Sequence, residues 1–245
     1  MYHFFVEPEW IADGCVRITG PDVNHIRNVL RMRPGESIGV RDGRSHSYLC
    51  ELETIGTDEI MARICEDETE STELSARLYL FQALPKSDKM DLIIQKAVEL
   101  GVYQIVPVAT RRCVVKLDGK RAESRVQRWN AIARSAAKQS GRMYVPEVTE
   151  IRTLEEAIAL AGTLDGAVIP YERATGIAET RSAFSRIRPG SSAGIFIGPE
   201  GGFDADEVQS AMAAGICPVT LGRRILRTET AGMTVLAILM FQLEE

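Results

Sequence analysis

The chain has 245 residues, 45% hydrophobic and 26% charged, with a formal net charge of −5; that suits one large globular domain, or a medium domain with a small one, and excludes a disordered polyelectrolyte. Its five cysteines (Cys15, Cys50, Cys65, Cys113, Cys217) are scattered and never in C-x-x-C, and His3, His25 and His46 have no metal-ligand spacing, so neither a disulfide framework nor a metal site is expected and a reducing cytoplasm fits. Glu7, Glu9 and Asp13 interrupt any secretory apolar region, and the longest apolar run, near Val235–Phe241, is too short to span a bilayer.

Residues 2–6, 15–20, 36–42, 45–55 and 58–65 read as short strands, with Asp42-Gly43 as a hairpin signal. Between them, Asp22 to Arg31 reads as one short helix with Val23, Ile26, Val29 and Leu30 on its inner side. The result is a small β-rich module whose arginines, including Arg27, Arg31 and Arg33, suit a solvated surface or an RNA-binding face. Glu66–Glu73 (EDETESTE) is acidic and aperiodic and is the expected linker, which divides the chain into 1–70 and 71–245.

Beyond it strands alternate with helices, the pattern of an α/β fold with a largely parallel sheet. Leu78–Leu84 is a strand, Asp88–Leu100 an amphipathic helix stopped by Gly101, and Gln104–Val108 the next strand; Lys86, Lys89 and Lys96 decorate this unit. Arg121–Gly141 is the longest helix. Val126, Trp129, Ala133, Ala136, Ala137 and Ser140 share one face, with Arg121, Arg125, Arg128, Arg134, Lys138 and Arg142 opposite. Residues 111–142 hold ten basic and two acidic residues, so despite the negative total that side suits either solvent or phosphates.

Arg152–Ala161 reads as a helix and Asp165–Pro170 as a strand, Thr175–Arg188 has no clear assignment, and Ala193–Gly198, 204–215, Pro218–Leu221 and 229–244 follow as strand, helix, strand and helix. The last helix is apolar on nearly every side (Met233, Val235, Leu236, Ile238, Leu239, Met240, Phe241) and must be buried on more than one face. A twofold homodimer would do this, with the alanine face of 121–141 as a surface for helix packing and Leu239 in the interface.

Two loops carry the chemistry. After the strand at 193–197, Gly198, Gly201 and Gly202 permit a close backbone approach by a ligand. Asp204 and Glu207 form a capping pair on the next helix, use its positive end and repel a pyrophosphate, so the loop suits a ligand without polyphosphate. The second loop sets Arg223, Arg224 and Arg227 beside Gly222, which points to an anionic partner.

The run Gly198-Pro199-Glu200-Gly201-Gly202-Phe203, followed by Leu221-Gly222-Arg223-Arg224-Ile225-Leu226-Arg227-Thr228-Glu229-Thr230-Ala231, resembles the ribosomal small subunit RNA methyltransferase E family of the SPOUT superfamily. Asn24–Arg31 resembles that family's N-terminal pattern and Gln139–Arg142 its Q-S-x-R segment; Ser87 stands where glycine is common, and Lys138 replaces the usual acid. The resemblance implies a SPOUT-type α/β knot, trefoil-knotted with a largely parallel sheet, and a small N-terminal PUA-like β-barrel domain. It further implies a homodimer that uses S-adenosyl-L-methionine to methylate N3 of a uridine in 16S ribosomal RNA, free or in the small subunit. The cofactor would lie among Pro170, Tyr171, Ile197, Gly198, Pro199, Gly201, Leu221, Gly222, Ile225, Leu226 and Thr228. RNA would meet Arg27, Arg31, Arg33, Lys86, Lys89, Arg112, Arg125, Arg128, Arg142, Arg223 and Arg224.

Methylation at N3 requires that nitrogen to lose its proton, and the charge spreads onto O2 and O4. Arg227 is the expected stabiliser of that charge. Glu229 is the candidate proton acceptor, with helix capping as its other reading. Glu200 is expected either to pair with an arginine or to face the sulfonium. Two alternatives stay open: an RNA-binding protein of this architecture without catalysis, and a small-molecule methyltransferase, which the basic 111–142 segment disfavours.

Overall fold

A computed structural model describes residues 1–68, 71–115, 119–174 and 176–244, the side chain of Glu68 excepted. Thr69 and Glu70 of the expected linker, and Thr175 at the start of the unassigned stretch, lie outside the described residues. The chain forms two compact units: Met1–Glu73 with Ala137–Val145, and Leu74–Ala136 with Pro146–Glu245.

The first unit contains β1 (His3–Phe5), a 3-10 turn (Pro8–Trp10), β2 (Ile11–Ala12), β3 (Cys15–Thr19), α1 (Pro21–Asn24), a π-helical turn (His25–Val29), β4 (Ser37–Arg41), β5 (Ser47–Ile55) and β6 (Glu59–Glu68). The sheet order is β1-β4-β5-β6-β3-β2, with β1 and β4 parallel and the other pairs antiparallel. Its two end strands do not pair with each other among the described residues, so hydrogen bonding does not close the expected barrel. Phe4, Val16, Ile18, Val23, Ile26, Ile38, Val40, Leu52 and Ile60 form the core. At the hairpin signal, Asp42 Oδ1 accepts the backbone N–H groups of Arg44, Ser45 and His46 and shapes the β4–β5 turn.

Two expectations fail here. Val29 is 62% exposed: the N–H of Leu30 bonds the carbonyl of His25, and this wider i→i+5 turn rotates Val29 out of the inner face that an α-helical projection gives it. The acidic stretch also does not begin a linker at Glu66, because β6 pairs with β5 as far as Glu68.

Residues 137–145 belong with this first unit, so a single cut near residue 70 does not describe the division. Lys138 Nζ lies 2.7 Å from Asp22 Oδ1 and over the Phe4 ring, and Val145 N–H bonds Gly43 O. Arg142 is 4% exposed and ion-paired with Glu73.

The second unit contains β7 (Arg77–Ala83), α2 (Lys89–Glu99), β8 (Gln104–Ala109), most of α3 (Gly119–Ser140), β9 (Glu147–Val148), β10 (Arg152–Thr153), α4 (Leu154–Ala161), β11 (Gly166–Pro170), α5 (Ile177–Phe184), β12 (Ser192–Ile197), α6 (Ala205–Ala213), β13 (Cys217–Val219) and α7 (Thr228–Leu243). All described pairings are parallel, in the order β10-β8-β7-β12-β11-β13, with β9 also on β8. The apolar runs of β7 and β12 suit central strands buried on both faces. Phe81 and Phe196 stack at 4.4 Å in a core with residues of α4 and α6, and α7 packs against β7, β12 and α2. Capping boxes start α4 (Thr153 with Glu156) and α6 (Asp204 with Glu207).

The alanine face of α3 does not offer a subunit surface: Trp129, Ala133, Ala136 and Ala137 are already buried within the chain. Leu239 is 0% exposed for the same reason, so it is a core residue and not an interface one.

Candidate active site

Strands β12, β11 and β13 are neighbours and parallel, so their carboxyl ends, Ile197, Pro170 and Val219, open on one edge of the sheet. Ligands of open α/β sheets bind at that edge. The loops that leave these strands, with Lys89 from α2, enclose a cavity of about 1010 Å³. It is lined by Pro170–Glu172, Ala174, Gly176 and Ile177, by 197–203, and by 220–228 with Ala231. Every expected cofactor residue, Pro170, Tyr171, Ile197, Gly198, Pro199, Gly201, Leu221, Gly222, Ile225, Leu226 and Thr228, is in that lining, and Arg223, Arg224 and Arg227 join it.

The loops are fixed from beneath by a chain of hydrogen bonds. Gln82, buried on β7, donates through Nε2 to Thr228 Oγ1 at 2.9 Å, and the Thr228 hydroxyl donates to Gly198 O at 2.7 Å. The Thr228 hydroxyl is therefore used inside the protein; it joins the two loops and is not offered to a ligand. A Cβ on Gly198 would lie 3.2 Å from Gly202 C and Phe203 N, so a side chain there would require the neighbouring backbone to shift by a few tenths of an ångström. Thr180 Oγ1 accepts from Thr220 N–H and donates to Thr220 O, holding the second loop to α5.

Arg112 donates to Gly201 O at 2.8 Å and pairs with Asp204, while Arg111 pairs with Asp206 and gives its N–H to Glu207. Bonds to the backbone N–H of Asp206, and then Arg112 and Arg111, hold the Asp204 carboxyl below its ordinary value against desolvation. Arg112, expected on RNA, is thus spent on the glycine loop.

Among the described residues Glu200 pairs with a lysine and not with an arginine. Its carboxylate accepts the Lys86 N–H at 3.1 Å and lies 3.1 Å from Lys89 Nζ, which is also 3.4 Å from Glu229 Oε2. Burial, the largest single influence, pushes the Glu200 carboxyl up, but hydrogen bonds from its own N–H, the Lys86 N–H and Lys89 outweigh it and leave it lowered. The bond to Glu200 leads the causes that raise the Lys89 ammonium. Lys89, expected on RNA, is therefore a cavity residue. Glu229 makes no helix cap: Arg227 is the N-cap residue of α7, without a side-chain cap bond, and Glu229 reaches Lys89 from outside the lining.

On the basic side of 111–142, of which Lys116 lies outside the described residues, four cations meet acids that lie elsewhere in the sequence. Arg125 meets Asp88, Arg128 pairs with Asp91, Lys138 with Asp22, and Arg142 is buried with Glu73, so Arg142 cannot grip a phosphate. By contrast Arg223, Arg224, Arg227, Lys86, Arg27, Arg31 and Arg33 are exposed. Sequence reasoning missed Gln82 and Glu172; the signal for Gln82 was an amide inside the apolar run of β7.

Comparison with known proteins matches these units to described families. The RNA methyltransferase domain family matches residues 72–240 and the RNA methyltransferase PUA domain family residues 18–65. Ribosomal RNA small subunit methyltransferase E of Bacillus subtilis (strain 168) is 38% identical over 231 residues, covering 93% of this chain and 90% of that protein. The chain belongs to the ribosomal RNA small subunit methyltransferase E family. A methyltransferase E from Neisseria gonorrhoeae, solved bound to S-adenosyl methionine, superposes with a TM-score of 0.85 at 36% identity, covering 99% of this chain and 98% of that one. The putative methyltransferase Lpg2936 from Legionella pneumophila, in complex with the same cofactor, also has a TM-score of 0.85, at 28% identity over 98% and 97% of the two chains. The family thus has an α/β methyltransferase domain and an N-terminal PUA domain in this chain.

Proposed function

We propose that this protein transfers a methyl group from S-adenosyl-L-methionine to N3 of a uridine in the 16S ribosomal RNA of the small subunit. The observation that carries the reading is that both signature loops line one cavity at the carboxyl edge of the sheet, in a member of the methyltransferase E family. The residues suit the cofactor. Pro170, Ile197, Leu221, Leu226 and Ala231 give apolar surface for an adenine and a methionine chain, and Glu172 and Glu200 offer carboxylates to a cation. Asp204 and Glu207 already cap α6, so its N-terminus is not open to a polyphosphate. The volume lies at the upper end of the about 300–1,000 Å³ typical of small-molecule sites, enough for the cofactor and one base.

When bound, the cofactor supplies an electrophilic methyl on its sulfonium. The exposed Arg227, which has no ion pair among the described residues, stabilises the charge on O2 and O4 as N3 loses its proton. Glu229 acts through Lys89 as a positioning residue, and the departing proton goes to solvent. Arg223 and Arg224 grip phosphates at the lip, and the exposed Arg27, Arg31 and Arg33 of the N-terminal unit add further RNA contacts.

The same reading assigns the first unit, 1–73 with 137–145, to RNA binding and the second unit to catalysis, in the cytoplasm, with the chain after Leu221 threaded through an earlier loop as a trefoil knot. Family membership and the return of α7 onto β7, β12 and α2 support the knot. A homodimer is supported by the exposed Ile238 and Phe241 on α7 and by the exposed Leu92 on α2, the helix against which α7 packs. The test is incubation with methyl-labelled cofactor and either 16S RNA or small subunits, followed by location of the modified base. Label on uridine N3 is expected; label on another atom, or on none, overturns the assignment.

A further inference from the structure

Lys89 is the first residue of α2, where the helix dipole disfavours a cation. It is held there by two carboxylates, Glu200 at 3.1 Å and Glu229 at 3.4 Å, which share its single ammonium. All three side chains are at least two-thirds buried, so solvent screens them less than it screens the exposed Arg223, Arg224 and Arg227 on the opposite loop. Lys89 and Glu200 line the cavity, and Glu172 adds another carboxylate beside Gly202. The cavity is polarised, with excess negative charge on the Glu200 side and positive charge on the 223–227 lip.

We propose that the Glu200–Lys89–Glu229 cluster makes the site select the cationic methyl donor over its neutral product. The inference rests on the function proposed above. In the transfer the C–S bond breaks, a C–N bond forms, the sulfur keeps the bonding pair and the base proton leaves to solvent. The cofactor thereby goes from a sulfonium to an uncharged thioether. The attraction of the cluster for the cofactor ends with the reaction, which favours release of product and reloading with donor. Full neutralisation by a second lysine would remove that preference; one ammonium between two carboxylates leaves it in place.

The test measures the dissociation constants of S-adenosyl-L-methionine and S-adenosyl-L-homocysteine on the full chain by calorimetry. Glu200→Gln keeps the shape and removes one charge. It is expected to weaken the donor about tenfold while changing the thioether by less than about twofold. Glu229→Gln should act in the same direction and serves if Glu200→Gln does not fold. In the unaltered protein, raising the salt concentration should narrow the donor-to-product ratio. Equal weakening of both ligands, or a ratio indifferent to charge removal and salt, overturns the inference and leaves the cluster a loop fastener. Failure of the unaltered protein to bind either ligand would instead sink the proposed function.

Discussion

Single atoms decide the site. A methyl on Gly198 would press on the backbone of Gly202 and Phe203, and backbone cannot rotate away. Gly198→Ala should therefore lower cofactor affinity about tenfold or more, with the far-ultraviolet spectrum unchanged; unaltered affinity in calorimetry would refute the tight-turn account. Arg227→Ala should lower kcat by about 10²–10³-fold, the range for loss of one charge-stabilising donor, and leave the cofactor dissociation constant within about twofold. Equal loss in binding and turnover would make Arg227 a binding residue. Ser87 holds a left-handed φ of 57°, a conformation glycine adopts without strain. Ser87→Gly should raise stability by up to about 1 kcal/mol in urea unfolding, and a loss would show that the serine side chain has work of its own.

Among elements, the decisive relation is between the loop at 198–203 and the chain around it. Arg112 holds it from the β8 side, and the Lys86 N–H and Lys89 hold it from the α2 side. Both attachments end on carboxylates, Asp204 and Glu200, whose folded values are lowered. A lowered carboxyl contributes stability that is present above its unfolded value and is lost as pH falls through the folded one. The ordinary values are 4.5 for Glu200 and 3.8 for Asp204, so cofactor affinity and loop protection in hydrogen exchange should hold above about pH 5 and decline below it. Affinity that is flat through that acid range would detach the loop from these ion pairs.

At the scale of the whole molecule the exposed side of α7 bears on assembly. Phe241 is 84% exposed and Ile238 lies one turn before it, while Val235, Leu236 and Leu239 on the other side of α7 are buried. A charge at Leu239 would unfold the chain, because it would bury an unpaired ion. Phe241→Glu is the informative variant: it should leave melting of the isolated chain little changed and convert the sedimentation coefficient from dimer to monomer at micromolar concentration. A wild-type monomer under those conditions would remove the homodimer.

The sequence by itself determined most elements and the two loops. Alternating apolar runs, the Asp204–Glu207 box and the stop at Gly101 are local signals, and local signals survive without knowledge of neighbours. The glycine and arginine runs likewise announced the site because the backbone geometry they permit is written in residue type. Only the tertiary structure decided how charges pair. Lys89, Arg112, Arg128 and Arg142 looked like RNA ligands because their acids, Glu200, Asp204, Asp91 and Glu73, lie 37 to 111 residues away along the chain or meet them through intervening strands. The inward turn of Gln82 to Thr228 and the outward turn of Val29 were equally hidden. A side chain's periodicity gives its face, but which partner fills that face depends on which strands become neighbours, and that is settled by the packing of the sheet and not by the spacing of any one segment.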